Sequence, residues 1–328
     1  MKYNKLEYNS ALCLSSISLF LGIGISKIIN SIGSNSWISI ILGTAIGLLI
    51  NYIFTKLPEK DNKIFVYIYS TILLTLNLFL ITKLISSIYL NRTPDIIVII
   101  PLIILIYYIS NKGINTILKT SLIISFIYTL IYLIPLTALA PKINIDEFIP
   151  LLTSNIYDII KCSLSYAFIS TTPFILFPKF KENYNYKSYL LSSILVLIIF
   201  VIIIGNLGTN LAKLYRYPEY MVFKEISLLG FIENIQNILS YLWFFCSFIL
   251  SSMATYNIKR VSNKKILIIT LLLITFILNN VLLKNYIYVE YITKYYGIIL
   301  FSILILFLIS KIFSKNKYIS KIFSKNKL

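Results

Sequence analysis

Apolar runs of about 20 residues follow one another along almost the whole chain, and that is the length an α-helix needs to cross a bilayer. Ten can be marked, at about 8–32, 36–55, 64–90, 94–110, 114–136, 155–178, 187–210, 228–257, 264–283 and 290–311. A soluble domain has about 45–50% apolar and about 25% charged residues. Here 58% of the 328 residues are hydrophobic and 13% charged, so the membrane is the solvent. The mean hydropathy of +0.84 agrees. Lipid leaves no backbone polar group unsatisfied, and runs of this length satisfy theirs as helices. The expected fold is an all-α integral membrane protein of about ten transmembrane helices. One membrane domain covers 1–311, and a basic cytoplasmic tail covers 312–328. The first run lacks a small-residue cleavage site after it and is expected to remain as the first span.

Orientation follows from the Lys/Arg bias of short loops. With both termini cytoplasmic, 20 of the 30 basic residues but only 4 of the 12 acidic ones fall on the inner side. The net charge of +18 is therefore a topology signal facing anionic lipid, and nucleic acid is not an expected partner. Part of it comes from a tandem duplication of Lys-Ile-Phe-Ser-Lys-Asn-Lys at Lys311–Lys317 and Lys321–Lys327, which reads as a basic amphipathic tail on the inner leaflet. On the outer side, Leu211–Ser227 mixes charge with aromatic residues and suits a short helix at the membrane surface.

Two spans are interrupted. Leu21-Gly22-Ile23-Gly24-Ile25 puts two glycines in the first run, and Thr171-Thr172-Pro173 breaks the sixth. Proline removes one backbone donor and frees the carbonyl four residues earlier, at Ile169. Five spans lie on each side of the long outer segment Pro135–Asn155, which gives two halves of opposite orientation with breaks in corresponding positions. That is the pattern of 5+5 inverted-repeat transporters, whose broken helices meet at the bilayer midplane.

Facing half-helices present free N–H groups at one end and carbonyls at the other. A zwitterionic amino acid suits them. Its carboxylate would take N–H groups near Ile23–Ser26, and its ammonium the carbonyls near Leu19–Gly22 and Ser165–Ser170. The candidate ligand-binding residues are Gly22, Ile23, Gly24, Asn77, Tyr166, Phe168, Ser170, Thr171, Thr172 and Phe174. For each, the plainer alternative is ordinary packing. Lys83, Asn206, Asn210, Asn279 and Asn280 are expected to hydrogen-bond between helices, and Asp158 with Lys161 to form a helical ion pair.

The chain has no histidine, and Cys13, Cys162 and Cys246 lie far apart in apolar runs, without metal-ligand spacing. No nucleophile–base pair or P-loop occurs. Neither cofactor, metal nor enzymatic activity is expected.

Several motifs occur in order: Leu21–Ile25 and Ser36-Trp37-Ile38-Ser39-Ile40-Ile41-Leu42-Gly43; the broken span Tyr166–Pro178; Tyr217-Pro218 ahead of Lys224-Glu225-Ile226; and Phe231-Ile232-Glu233-Asn234-Ile235-Gln236 leading to Trp243. Together they resemble the B-subunit of spore-germination receptors. This is the germinant permease family of the amino acid/polyamine/organocation transporter superfamily. In the last motif the family usually has Phe-Leu-Glu-Arg and a second Glu two residues on. Glu233 keeps the first Glu, whereas Asn234 and Gln236 replace the Arg and the second Glu. Ser170-Thr171-Thr172 stands where the family often has Gly-Phe-Glu.

The resemblance implies a LeuT-like fold with broken helices 1 and 6. It also implies binding of a small-molecule germinant, commonly an amino acid, in the spore inner membrane, together with an A-subunit and a lipoprotein C-subunit. The alternative is a secondary amino-acid transporter of the same superfamily. A structural membrane protein whose breaks are mere kinks is the third reading.

Overall fold

The structure, a computed structural model, describes residues 4–21, 23–56, 63–149, 154–176, 186–224, 235–262 and 265–285. Towards the C-terminus it adds 287–288, 291–292, 295, 297–306 and 308–309. All regular elements among these are helical. They are α1 (Lys5–Ser18), α2 (Ile23–Ile32), α3 (Ser36–Lys56), α4 (Lys63–Ile88), α5 (Asp95–Lys112), α6 (Ile114–Leu139), α7 (Ile156–Thr171), α8 (Tyr186–Leu214), α9 (Pro218–Lys224), α10 (Ile235–Ser262) and α11 (Lys265–Lys284), with short 3-10 turns between some of them. A last described helix covers Gly297–Leu306. The expected tail, 312–328, lies outside the described residues, as do Glu233 and Asn234.

Among the described residues, six helical stretches are long and apolar enough to cross a membrane: Gly24–Lys56, Lys63–Ile88, Asp95–Lys112, Ile114–Lys142, Tyr186–Leu214 and Lys265–Lys284. α1 and α7, at 14 and 16 residues, are each cut short by a break. α10 has the length but carries buried Ser247, Ser251, Ser252 and Asn257, which dilute its apolar character.

The helices differ in what covers them. Within an 18-residue apolar stretch of α4, 72% of residues are buried, against 25% within that of α6, so α4 is a central helix and α6 a peripheral one. Ile123, Phe126, Leu130 and Leu133 stand exposed along α6 at spacings of three and four. Ile97, Ile100, Ile104 and Tyr108 do the same on α5. Apolar stripes turned outward at helical spacing are lipid-facing surfaces.

Small residues set the closest approach of the helices. Ser39, Gly43, Gly47 and Asn51 form a buried stripe on α3, which packs on α7 and α8. A Cβ on Gly43 would lie 2.6 Å from the Ser163 carbonyl of α7, and one on Gly47 would fall on the Tyr189 hydroxyl of α8. α3 thus meets the backbone of α7 at Ser163, about two turns before its broken end.

Of the polar residues inside spans, Lys83 links helices: its Nζ pairs with Asp95 Oδ2 at 3.0 Å, joining α4 to α5. Asn206 and Asn279 correct the expectation of interhelical bonds. Each donates to a carbonyl of its own helix, at Ile202 and Thr275, because the acceptor four residues back is always within reach. Asp158 and Lys161 are not paired with each other. Lys161 is exposed, and an exposed pair gains only about 0–1 kcal/mol.

Candidate ligand site

α1 ends at Ser18, and Leu19, Phe20 and Leu21 after it form a buried turn, with the Phe20 and Leu21 N–H groups both donating to the Ile17 carbonyl. The Ser18 carbonyl, at the free end of α1, accepts the indole N–H of Trp243 at 3.1 Å. The Ser18 hydroxyl donates to Asn77 Oδ1 at 3.0 Å and lies 3.1 Å from the Ser247 hydroxyl. Asn77 in turn donates to the Ser247 carbonyl and the Ser251 hydroxyl, each at 2.7 Å, and accepts from the Ser247 hydroxyl at 3.2 Å. An amide has two donor hydrogens and two acceptor lone pairs. All four positions of Asn77 are engaged, and they tie α4 to α10 and to the end of α1.

α7 ends at Thr171 and passes into a 3-10 turn, Thr172–Leu176, that contains Pro173. The hydroxyls before the proline turn back on their own helix: Ser170 to the Tyr166 carbonyl at 2.8 Å, Thr171 to that of Ala167 at 2.7 Å, and Thr172 to that of Phe168. The Thr172 carbonyl accepts the hydroxyl of Tyr69 from α4. Ser170 also meets the Tyr189 hydroxyl at 2.9 Å, and the Tyr189 ring packs edge-on to Phe174.

The two breaks touch. The ring of Phe20 stands edge-on to Tyr166, with centroids 4.8 Å apart at 87°. α1 also packs on the 3-10 turn after Thr171, and α2 on α7.

The candidate residues divide accordingly. Tyr166, Ser170, Thr171, Thr172 and Phe174 are buried at the second break, Gly24 is buried on α2, and Asn77 adjoins Ser18. Ile23 is the first residue of α2, and Gly22 lies outside the described residues. The Phe168 carbonyl takes part in the second break, but its side chain does not. Its ring lies 4.1 Å from that of Phe301 on the last helix.

Beside the first break, under α9, a narrow cavity of about 40 Å³ opens. Leu21 is its one contribution from the break. Glu219, Tyr220, Trp243, Tyr128 and Tyr132 also line it, and none of these five was among the candidates. Tyr217 joins two of the motifs read in the sequence, its ring centroid 6.2 Å from that of Trp243.

Residues 63–291, more than half of the chain, match the family described as spore germination protein. The chain belongs to that family. The matched stretch of this germination protein includes Asn77, the break at Thr171–Pro173, α9 and α10, while the break at Leu19–Gly22 precedes it. With its long apolar helices, the spore germination protein is an integral membrane protein. No curated protein matches the chain.

Proposed function

We propose that this germination protein is the nutrient-sensing membrane subunit of a spore germination receptor, taking a small-molecule germinant, an amino acid, at its two broken helices. The observation that carries this is the edge-on contact of Phe20 with Tyr166, which sets the two helix breaks against each other. The carbonyls there are held by side chains from elsewhere: Ser18 by Trp243 of α10, and Thr172 by Tyr69 of α4. An ammonium group that takes either carbonyl shares the oxygen with that side chain or displaces it. Binding is thereby felt on α4 or α10, which is what a sensor requires, and no bond in the ligand changes, so the chain is no enzyme.

The accompanying architecture is a ten-span, LeuT-like 5+5 inverted repeat. α1 and α2 form the first span, α7 and its 3-10 turn the sixth, and the last helix the tenth. The packing supports this reading, because exchanging the halves maps contacts onto contacts. α1 packs on α6 as α7 meets the last helix through Phe168 and Phe301. α1 and α2 pack on α8 as α7 packs on α3, and α4 packs on α11 as α10 packs on α5. The protein works in the spore inner membrane with both termini cytoplasmic, together with A- and C-subunits and the surrounding lipid.

The test is thermal stabilisation of the detergent-purified protein by a panel of amino acids, sugars and nucleosides, beside a Gly24→Leu variant. An amino acid that stabilises only the native protein supports the reading. One that stabilises both equally removes the breaks as the site. The same corresponding halves favour a secondary transporter as the second reading, and uptake of the bound amino acid into liposomes separates the two.

A further inference from the structure

A larger cavity, of about 250 Å³, lies where the first turns of α4 and α11 meet the last turn of α10. Val66 and Tyr67 of α4, Ile258 and Val261 of α10 and Leu267 of α11 make its walls, which are almost wholly apolar. Ile64 also lines it and is 69% exposed, so the cavity is open at the surface of the bundle. Ile68 and Ile266, chain neighbours of Tyr67 and Leu267, are exposed as well, as side chains that meet lipid are. The rim is cationic. Lys63 lines the cavity as the first residue of α4, and Lys265 opens α11 two residues before Leu267. Both side chains are exposed, and among the described residues no hydrogen bond or ion pair engages either. By sequence, the segments that meet here, 59–63 and 259–265, hold six basic residues against two acidic ones. The positive ends of the α4 and α11 dipoles add to that sign. We propose that this cavity is a discrete binding site for an anionic phospholipid, with one acyl chain between Tyr67, Val261 and Leu267 and the headgroup phosphate on Lys63 and Lys265.

Size and lining both bear on the occupant. An apolar cavity of roughly 150 Å³ stays dry and takes up benzene. This one is larger and has room for several methylenes of a chain. Water gains little there, since the Tyr67 hydroxyl lies 3.2 Å from that of Thr270 on α11 and is already engaged. The tail of this chain, 312–328, carries five lysines and no acidic residue, so it would meet like charge at the rim. Basic loops draw anionic lipid wherever they lie. Here that attraction is joined to a space that holds a chain, so binding saturates at one lipid. None of these residues belongs to the two breaks, and the inference stands apart from the function proposed above.

Native mass spectrometry of the detergent-purified full chain, titrated with phosphatidylglycerol or with phosphatidylcholine of the same acyl chains, counts the lipids on each molecule. One phosphatidylglycerol is expected to bind at a concentration about tenfold or more below that needed for phosphatidylcholine. Lys63→Gln combined with Lys265→Gln is expected to weaken that adduct about tenfold or more, since each lysine at an anionic surface contributes about fivefold. Lys112→Gln combined with Lys119→Gln, which removes the same charge from exposed positions on α5 and α6, is expected to leave it unchanged. Val261→Trp fills the cavity and leaves the charges in place. It is expected to weaken the adduct severalfold, and it decides the matter should the Lys63 and Lys265 variant fail to fold. Equal binding of the two lipids, equal loss in the two lysine pairs, or full binding in Val261→Trp each overturn the proposal. Lipid that binds only after residues 312–328 are removed makes the tail the occupant and overturns it as well.

Discussion

Asn77 donates to the main-chain carbonyl of Ser247 at 2.7 Å, across the contact between α4 and α10. Together with the bonds to Ser18 and Ser251 it closes a polar knot beside the first break. Interhelical hydrogen bonds in membranes contribute about 0.6 kcal/mol each, and up to about 1.7. Asn77→Leu, which removes all four, is expected to lower stability by roughly 2–3 kcal/mol in reversible thermal or denaturant unfolding in detergent. An unchanged transition would show that the knot contributes nothing to the fold.

The break in α7 is expected to matter for binding more than for folding. Pro173→Ala supplies the missing N–H and lets the helix continue, which withdraws carbonyls from the site. Affinity for the stabilising amino acid, measured by calorimetric titration, should fall by about 1–3 kcal/mol, the worth of one buried polar contact. Tyr69→Phe should act the opposite way on the Thr172 carbonyl, leaving it open to the ligand. Binding indifferent to both changes would place the ligand elsewhere.

Gly47 and Tyr189 form a testable pair. A methyl group at Gly47 falls on the Tyr189 hydroxyl, which itself bonds Ser170. Overpacking of this kind costs about 1–3 kcal/mol. Gly47→Ala should be destabilising by that amount, and adding Tyr189→Phe should recover part of it because the atom in the way is gone. Strictly additive losses in the double variant would mean that the two positions do not touch.

The Lys83–Asp95 pair is only partly shielded, with side chains 17% and 22% exposed. Lys83→Met is expected to cost about 1 kcal/mol, by leaving the carboxylate without its cation. Asp95→Asn in the same chain should restore most of it. A double variant weaker than Lys83→Met, judged by unfolding in the same detergent, would contradict the pairing.

Much of the frame could be read from residue order because hydrocarbon allows so few solutions. The apolar runs, Gly22 and Gly24 at the start of α2 and the proline after Thr172 each carry a local signal. The Phe168 ring stands apart from the other candidates for a reason also present in the sequence. Two residues from Tyr166 is about 200° around a helix, so the two rings point to opposite sides, whereas Ser170 returns to the face of Tyr166. Asn77 could be placed at mid-depth, but its partners lie 59 to 174 positions away, and no periodicity announces them. The cavity under α9 was invisible for the same cause. Its rings come from three helices, and Glu219 lies in a charged stretch that reads as membrane surface until α9 folds against α8 and α10.

Gly113, at φ 103°, is the entire connector between α5 and α6. A backbone angle of that sign is one that side-chain-bearing residues rarely adopt. With a single residue between them, neither helix has a loop of its own to anchor on one side of the bilayer. An epitope tag or glycosylation acceptor placed at that junction would have to pry the two helices apart, and is expected to report on a topology that it has itself altered.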